Sequence, residues 1–513
     1  MDAPSINLQS SAPAAGWSRR LLILSLIGIL FLTLFPFRFT RHAGLPLNRS
    51  AFLLNGWEKG AGAFDVFLNV LLFVPFGFAV AEKLRERGQS WHATLAWGIT
   101  SGGLLSYGLE FLQLYIPVRD SGWQDVVTNT AGCAAGVVLF DVYGGTVLRA
   151  LSGGEAAIEK VLQRPRGYLA ILAYFGLWFA ISIPLQLQTR LSNWSPDSLL
   201  AVGNDIPARS YTAWKGQLFR LQIWDRPVSA DLARRLASGG TPADERGLRA
   251  DYDFSNPAQL ADRTRFLPDL SWRAGTAPHG DPPYLALDGT SWLLSKEPVS
   301  NLVAALRKTS QFAIRVVCKP AETGGADGRI VGIWKRSGAL ELRIRQEGEN
   351  LIFFFRNPLS VEGADLVWRF PGIFEAGQMR DLLFSYDGDS AYFYLDGKRV
   401  NRSYHLGPGV ALTHAVLSVN SEELDGYNDV YYFLIFFPGG ILLGITARIL
   451  GRRANPAAAP LAGLGFFLVP PLLLEILLVS VSGRAPSLAY PVISIVVAVA
   501  GRFWIDADRP ASI

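Results

Sequence analysis

The stretch LEFLQLYIPVRDSGWQDVVTNTAG, residues 109–132, decides how this chain folds and where its chemistry lies. Apolar runs flank the stretch on both sides. Its charged and amide side chains include Glu110, Gln113, Arg119, Asp120, Asp125 and Asn129. Because a charged group at bilayer depth costs free energy, polar clusters in membrane helices indicate function. The meaning of the stretch therefore depends on whether the flanking runs cross a membrane.

Composition favours a membrane protein. Of the 513 residues, 50% are hydrophobic and 18% are charged, which is unusual for a soluble protein. A helix of about 20 apolar residues crosses the hydrocarbon of a bilayer. Eight such segments are predicted, at residues 21–38, 65–82, 93–115, 125–147, 168–186, 430–449, 460–480 and 486–505. The first is long and leucine-rich and no small-residue cleavage site follows it, so it is predicted to be retained.

Basic residues predict the orientation. If the N-terminal tail, residues 1–18, is cytoplasmic, the inside segments hold 14 Lys and Arg residues and the short outside segments hold 6. Since positive charge accumulates on the cytoplasmic side, both termini are predicted inside and residues 190–427 outside. The net charge of +5 mostly follows from this bias. The lipid bilayer is therefore the expected partner, and a nucleic acid is not needed to explain the charge.

The sequence carries no signature of a metal site or of a standard enzyme class. Cys133 lies in a predicted membrane helix and Cys318 in the outside segment, so no disulfide and no Cys-based zinc site is expected. The five His residues are scattered. HExxH, GxSxG, Walker and Rossmann motifs are absent from the sequence. No metal and no cofactor are predicted.

Residues 190–427 have the pattern of a β-sandwich. Short alternating apolar segments follow one another there, and Glu-Gly or Asp-Gly pairs stand between or after them as hairpin turns. Strands at this spacing without intervening helices predict two packed sheets. The predicted strands include FAIRVVCKP (312–320), LELRIRQ (340–346), LIFFFRN (351–357), DLLFSYD (381–387) and AYFYLDG (391–397).

Two segments of this region resemble the laminin-G/concanavalin-like jelly-roll family. SYDGDSAYFYLDGKRV (385–400) has that family's hairpin pattern, and residues 199–236 are similar to its closing strands and final short helix. Since the closing strands come first in this chain, a permuted all-β jelly-roll sandwich is predicted. Its strands around 199–203 and 217–224 should pair with strands from 312–420.

The jelly-roll resemblance implies a structural or adhesive role, or carbohydrate binding. Candidates for stacking on a sugar are Trp194, Trp214, Trp224 and Trp272, and candidates for holding calcium are Asp251, Asp253 and Asp262. Most Trp residues of a sandwich belong to its core, and the three Asp residues lack the spacing of a calcium loop. Neither site is predicted.

The membrane segments contain an internal repeat. LLILSLIGILFLTLFPF (21–37) aligns with residues 169–185, DVFLNVLLFVPFG (65–77) with residues 429–440, and LEFLQLYIPVR (109–119) with residues 474–484. Three matches in one order predict two parallel four-helix repeats, with the sandwich inserted after the first helix of the second copy. The predicted domains are a four-helix membrane domain (19–150), a fifth membrane helix (167–187), the sandwich (190–427) and three C-terminal membrane helices (428–506).

The two copies differ in their polar residues. Glu110 and Arg119 persist as Glu475 and Arg484. The positions of Asn69, Gln113, Asp120, Asp125 and Asn129 become Phe433, Leu478, Ala485, Tyr490 and Ser494. The second copy is therefore interpreted as degenerate and kept to complete the bundle.

Helical spacing gathers the polar residues of the first copy at one depth. On the second, third and fourth helices, two polar residues are three or four positions apart and so share a face. These pairs are Asp65 with Asn69, Glu110 with Gln113, and Asp125 with Asn129. One pocket at the outer ends of the helices is predicted, with Arg119 and Asp120 in the adjoining loop and Glu110 within ion-pair distance of Arg119. The competing explanation is a purely structural Glu110–Arg119 pair.

The same residues resemble the VanZ-like family. DVFLNVLLFVPFGF (65–78), followed by LEFLQLYIPVRDSGWQDVVTNTAGCAAG (109–136), is similar to that family's spacing of Asp, Asn, Pro, Gly, Glu, Gln and Arg. The resemblance covers about residues 20–148 and, more weakly, the second copy. It implies a bacterial protein of the cytoplasmic (inner) membrane, associated with resistance to teicoplanin and related lipoglycopeptides, and it names no reaction.

Three functions are compatible with these patterns. In the first, the pocket binds or modifies a lipid-linked cell-wall or surface-glycan component, or a lipoglycopeptide, at the outer leaflet. Glu110 and Asp125 would then be acid and base, and Arg119 would hold a phosphate or carboxylate. The other binding residues would be Asp65, Asn69, Gln113, Asp120 and Asn129. The second function is a non-catalytic anchor that presents a glycan-binding or adhesive sandwich, and the third is a transporter.

Overall fold

A computed structural model describes most of the chain. The described residues are 15–34, 39, 63–116, 121–205, 213–240, 246–256, 260–274, 283–360, 366–416, 424–451 and 459–506. The chain divides into two compact units. The first unit holds residues 1–175, 434–469 and 494–513, and the second holds residues 176–433 and 470–493.

Helices form at each of the eight predicted membrane segments. In chain order the helices are α1 Ala15–Leu34, α2 Ala63–Glu86, α3 Trp91–Gln113, α4 Trp123–Leu162, α5 Tyr168–Leu187, α6 Ala230–Ala237, α7 Ser300–Thr309, α8 Pro408–His414, α9 Leu424–Gly451, α10 Ala459–Ser482 and α11 Ala489–Asp506. The short helices α6, α7 and α8 belong to the second unit. Helix α4 continues 15 residues beyond the predicted span 125–147, into a charged segment that ends with Glu155, Glu159 and Lys160.

Six of these helices are long and apolar enough to cross a membrane. Within the described residues they are Trp17–Leu34, Val66–Glu86, Trp123–Leu162, Tyr168–Leu187, Leu424–Leu450 and Gly465–Ser482. The predicted count of eight is therefore not confirmed, for two physical reasons. Helix α3 is rich in Gly, Ser and Thr, and the apolar part of α11, Ala489–Ile505, is shorter than a typical span.

Glycines let helices of the first unit approach closely. A Cβ added to Gly77 on α2 would lie 2.0 Å from the carbonyl oxygen of Cys133 on α4, and one added to Gly136 would lie 2.1 Å from that of Val74. Such small residues are the usual means by which membrane helices pack. The pairing of α2 with α4 therefore depends on glycine at these positions.

The same contacts recur between α9 and α11. A Cβ added to Gly440 would lie 2.0 Å from the carbonyl oxygen of Ala498, and one added to Gly501 would lie 2.3 Å from that of Phe437. By the sequence alignment, Gly440 and Gly501 correspond to Gly77 and Gly136. Ala498 and Phe437 likewise correspond to Cys133 and Val74. The alignment thus pairs positions that make the same backbone contacts.

The second unit contains two antiparallel sheets. Their strands are β1 Ser198–Val202, β2 Lys215–Trp224, β3 Leu248–Asp253, β4 Leu270–Ala274, β5 Leu285–Asp288, β6 Trp292–Ser295, β7 Phe312–Pro320, β8 Asp327–Lys335, β9 Leu340–Glu347, β10 Asn350–Phe355, β11 Trp368–Phe370, β12 Arg380–Tyr386, β13 Ser390–Leu395 and β14 Lys398–His405. One sheet has the order β11-β10-β9-β8-β1-β6-β4. The other has the order β14-β13-β12-β7-β2-β3, with β5 also paired to β2.

The predicted long-range strand pairing is confirmed. Strand β1 pairs with β8, for example Leu200 opposite Ile333, and β2 pairs with β7, for example Ile223 opposite Ile314. The early strands therefore lie inside sheets that later segments complete. The β13–β14 hairpin turns at Asp396 and Gly397, whose φ angles are both positive, as a tight Asp-Gly turn requires.

Most of the residues weighed for sugar or calcium binding have structural roles. Trp194, Trp214 and Trp224 are at most 2% exposed, so they are part of the core and cannot stack on a sugar. Asp251 forms two hydrogen bonds with Arg220, and the side chain of Asp262 accepts the backbone N–H of Asp251. The described residues hold no group of three or more His, Cys, Asp or Glu side chains placed to bind a metal ion.

Candidate functional site

Polar residues of the first copy meet where α3 ends and α4 begins. Asp125, in the first turn of α4, accepts a 2.7 Å hydrogen bond from Nδ2 of Asn69 on α2. Glu110 on α3 accepts a 2.9 Å hydrogen bond from the backbone N–H of Gly122, the residue that caps α4. Two carboxylates therefore lie at the N-terminus of α4, where the helix dipole favours negative charge.

Two amides extend the network to the neighbouring helices. Nδ2 of Asn129 donates to the hydroxyl of Ser106 on α3 at 3.0 Å. Nε2 of Gln113 donates to the carbonyl oxygen of Thr33 on α1 at 2.8 Å. Polar contacts thus connect α3 with α4, and α3 with α1, inside an apolar bundle.

Two amide oxygens of the network are buried, and the described residues give them no hydrogen-bond partner. Glu110, Asn129 and Gln113 are 2%, 3% and 7% exposed. Among the described residues, Oε1 of Gln113 and Oδ1 of Asn129 have no hydrogen-bond donor. Buried acceptors of this kind are rare and need an explanation, such as a bound water or a ligand. The site can therefore accept hydrogen bonds from a molecule that carries hydroxyl or amine donors.

The structure describes five of the eight predicted site residues with their side chains. These five are Asn69, Glu110, Gln113, Asp125 and Asn129. Arg119, Asp120 and the side chain of Asp65 lie outside the described residues, and the predicted Glu110–Arg119 ion pair lies there with them. Gln113 contacts α1, whereas Asn69 and Asp125 contact each other.

Ser106 is a member of the cluster that sequence reasoning missed. It is fully buried and accepts the hydrogen bond from Asn129. Ser106, Glu110 and Gln113 are spaced as i, i+4 and i+7 on α3, so helical periodicity could have identified it. A serine among small residues gives a weaker signal than a charge does.

The corresponding loop of the second copy holds a buried ion pair. Glu475 and Arg484 form two hydrogen bonds of 2.8 and 2.7 Å, and both residues are at most 7% exposed. The backbone N–H of Ser487 donates to Glu475 at 2.8 Å. By the alignment this bond is the counterpart of the one between Gly122 and Glu110. Burial opposes charge on Arg484, yet the hydrogen bonds with Glu475 raise the pKa of its guanidinium above the ordinary value.

A family model covers the cluster. Residues 9–144 match the VanZ/LLP1 family model. The VanZ-like segment extends from the N-terminal tail through the first half of α4, and it contains every predicted site residue. Together with the apolar helices it identifies the chain as a membrane protein. No curated protein and no solved structure matched the chain.

The match confirms the predicted VanZ-like segment and ends before the sandwich. The sandwich and the C-terminal helices lie outside residues 9–144. The two antiparallel sheets agree with the predicted β-rich domain. Its relation to the jelly-roll families stays a prediction.

Proposed function

We propose that the VanZ-like segment binds, at the outer leaflet of a bacterial inner membrane, a lipid-linked component of the cell wall or of a surface glycan. The observation that carries this proposal is a pair of buried acceptors, Oε1 of Gln113 and Oδ1 of Asn129, for which the described part of the chain provides no donor. They lie on the same helices as the Glu110 and Asp125 carboxylates. Sugar hydroxyl groups can donate hydrogen bonds to such acceptors. The apolar surroundings suit the lipid part of the same molecule.

The position of the network supports an interfacial site. Gln113 is the last residue of α3 and Asp125 lies in the first turn of α4, so the polar groups are at the ends of helices. A lipid-linked headgroup would enter there while its chain stays in the hydrocarbon. In a catalytic version, Glu110 and Asp125 would act as acid and base, and Arg119 would hold a phosphate.

Resistance gives the first test of this proposal. In a susceptible bacterium that expresses the protein, Asp125→Asn is expected to remove most of the protection against teicoplanin, because it removes the charge that Asn69 holds at the site. A lost hydrogen bond to a charged group weakens ligand binding about tenfold. The measurement is the inhibitory concentration of teicoplanin at matched membrane levels of the protein.

Asp141→Asn is the matched control, since Asp141 is an exposed residue of the same helix. It should leave protection unchanged. Equal loss in both variants would contradict the proposal. A purely structural role would instead lower the amount of folded Asp125→Asn protein in proportion to the lost protection.

The proposed topology has a separate test. Reporter fusions after residue 160 and after residue 275 should give cytoplasmic and extracytoplasmic signals respectively, because Lys and Arg are concentrated in the segments predicted inside. Both fusions should be compared at equal expression. Signals from the same side would refute the orientation.

A further inference from the structure

The second unit contains a cavity that the proposed function does not use. Its volume is about 390 Å³, within the range of small-molecule sites. The loop after α10 and the starts of α9 and α11 form one side, and the sandwich forms the other. The polar residues that line it include Asp387, Asp389, Asp425, Asp429, Arg484 and Tyr490.

The cavity lies beside the loop between α10 and α11. By the alignment, this loop corresponds to the one between α3 and α4, next to the polar cluster of the first copy. Tyr490 takes the aligned position of Asp125, and Ser487 that of Gly122. The cavity is rich in carboxylates even though the helices of this copy have lost the aligned Asp125. Two carboxylates, Asp387 and Asp389, come from the β12–β13 turn of the inserted sandwich. The sandwich therefore adds two acidic groups to the two that α9 supplies, Asp425 and Asp429.

Hydrogen bonds fix these groups in place. The side chain of Asp387 accepts the backbone N–H groups of Asp389 and Ser390 at 3.0 and 2.7 Å. His405 Nδ1 lies 2.6 Å from the hydroxyl of Ser390. Next to Arg484 in sequence, the carbonyl oxygen of Gly483 accepts a 2.7 Å hydrogen bond from Nε2 of Gln311 on the sandwich. Hydrogen bonds thus hold the sandwich side of the cavity, and the two bonds to Glu475 hold Arg484 on the loop side.

The charge of the cavity is negative. Four carboxylates line it, and the guanidinium of Arg484 is already paired with Glu475. Asp389 is only 2% exposed. Burial, and then repulsion from Asp389, raises the pKa of the Asp387 carboxyl above its ordinary value. A cation between these groups would relieve both effects.

A second observation specifies the ligand further. The Nε atom of Arg484 is buried and has no hydrogen-bond acceptor among the described residues. The nearest carboxylate oxygen in an ion pair with it, Oδ1 of Asp389, is 3.9 Å away, beyond hydrogen-bond distance. A ligand that fills the cavity therefore needs an oxygen for this N–H group in addition to its positive charge.

We propose that this cavity binds a small ammonium-bearing molecule that also carries an oxygen acceptor, either a free amino alcohol or the amine headgroup of a lipid. The ammonium group would lie among Asp387, Asp389 and Asp429, and the oxygen would accept from Nε of Arg484. The proposal does not rest on the function proposed for the VanZ-like segment.

The test is a calorimetric titration of the detergent-purified full chain with ethanolamine, which measures the binding affinity. Ethylene glycol, which keeps the oxygen and lacks the ammonium group, is the ligand control. Asp389→Asn and Asp429→Asn should each weaken ethanolamine binding about tenfold, as loss of a hydrogen bond to a charged group does. Asp269→Asn, at an exposed ion pair with Lys296 on the sandwich, should bind as the unchanged protein does. If the Asp389→Asn protein does not fold, the affinity of the Asp429→Asn protein for ethanolamine decides the test.

Nanodiscs distinguish the two sources of the amine. If free ethanolamine does not bind, the protein should have a higher melting temperature in phosphatidylethanolamine nanodiscs than in phosphatidylglycerol nanodiscs. The Asp429→Asn protein should then melt at the same temperature in both. Either result supports the proposal, the first for a free amine and the second for a lipid headgroup. Equal binding of ethylene glycol, or no effect in either experiment, would overturn it.

Discussion

Gly136→Leu is expected to separate α2 from α4 and to lower the stability of the first unit by about 3 kcal/mol, at the upper end of the usual range for overpacking. The reason is steric, because even a Cβ at this position would lie 2.1 Å from the carbonyl oxygen of Val74 and 2.8 Å from the amide nitrogen of Phe78. These atoms belong to the backbone of α2 and cannot rotate away. The whole helix must move, and the Asn69–Asp125 hydrogen bond should break with it. Unfolding in detergent by denaturant measures the loss.

Gly145→Leu is the matched control for this change. Gly145 lies on the same helix, and a Cβ there would meet nothing within 4 Å. It should therefore unfold as the unchanged protein does. Similar loss in both variants would show that leucine damages α4 generally, and an unaffected Gly136→Leu protein would contradict the close packing of α2 against α4.

Arg484→Met is expected to destabilise the second unit by about 3–5 kcal/mol, the cost of leaving one partner of a buried ion pair alone. Among the described residues, Glu475 would keep the Ser487 N–H as a hydrogen-bond donor to its carboxylate, and Asp389 would lose its neighbouring cation. The double variant Glu475→Gln, Arg484→Met should recover most of the lost stability. It removes the negative charge of Glu475, which the single variant leaves buried without its partner.

A double-mutant cycle on unfolding free energies checks this prediction. Arg234→Met serves as the control, since its partner Asp231 is exposed and surface pairs contribute little. If the double variant is as unstable as Arg484→Met, the Glu475–Arg484 pair does not carry the stability of this loop.

Local patterns were sufficient to predict most of the fold. Apolar runs predicted the position of each long helix, and alternation with Asp-Gly turns predicted strands such as β7 and β13. The repeat was visible because Gly77 and Gly136 have counterparts at Gly440 and Gly501, where packing tolerates no side chain. The length of α4 was not predictable from hydropathy, since its last turns contain charged residues such as Glu155, Glu159 and Lys160.

Local sequence patterns identified only part of the candidate sites. The charged and amide residues of α3 and α4 were found because such groups are conspicuous in an apolar helix. Ser106 was missed because a serine hydroxyl is common in such helices and gives a weak signal. The cavity of the second unit could not be predicted. Asp389 and Arg484 are far apart in sequence, and only the folded β12–β13 turn brings the Asp389 carboxylate within 3.9 Å of the guanidinium.

Native mass spectrometry of the detergent-purified protein tests the central claim most directly, namely that the VanZ-like segment holds a lipid-linked ligand. The unchanged protein and Asp141→Asn should carry the same co-purified lipid-linked glycan, and Asp125→Asn should have lost it while remaining folded. The same bound species in all three proteins, or none in the unchanged protein, would contradict the account.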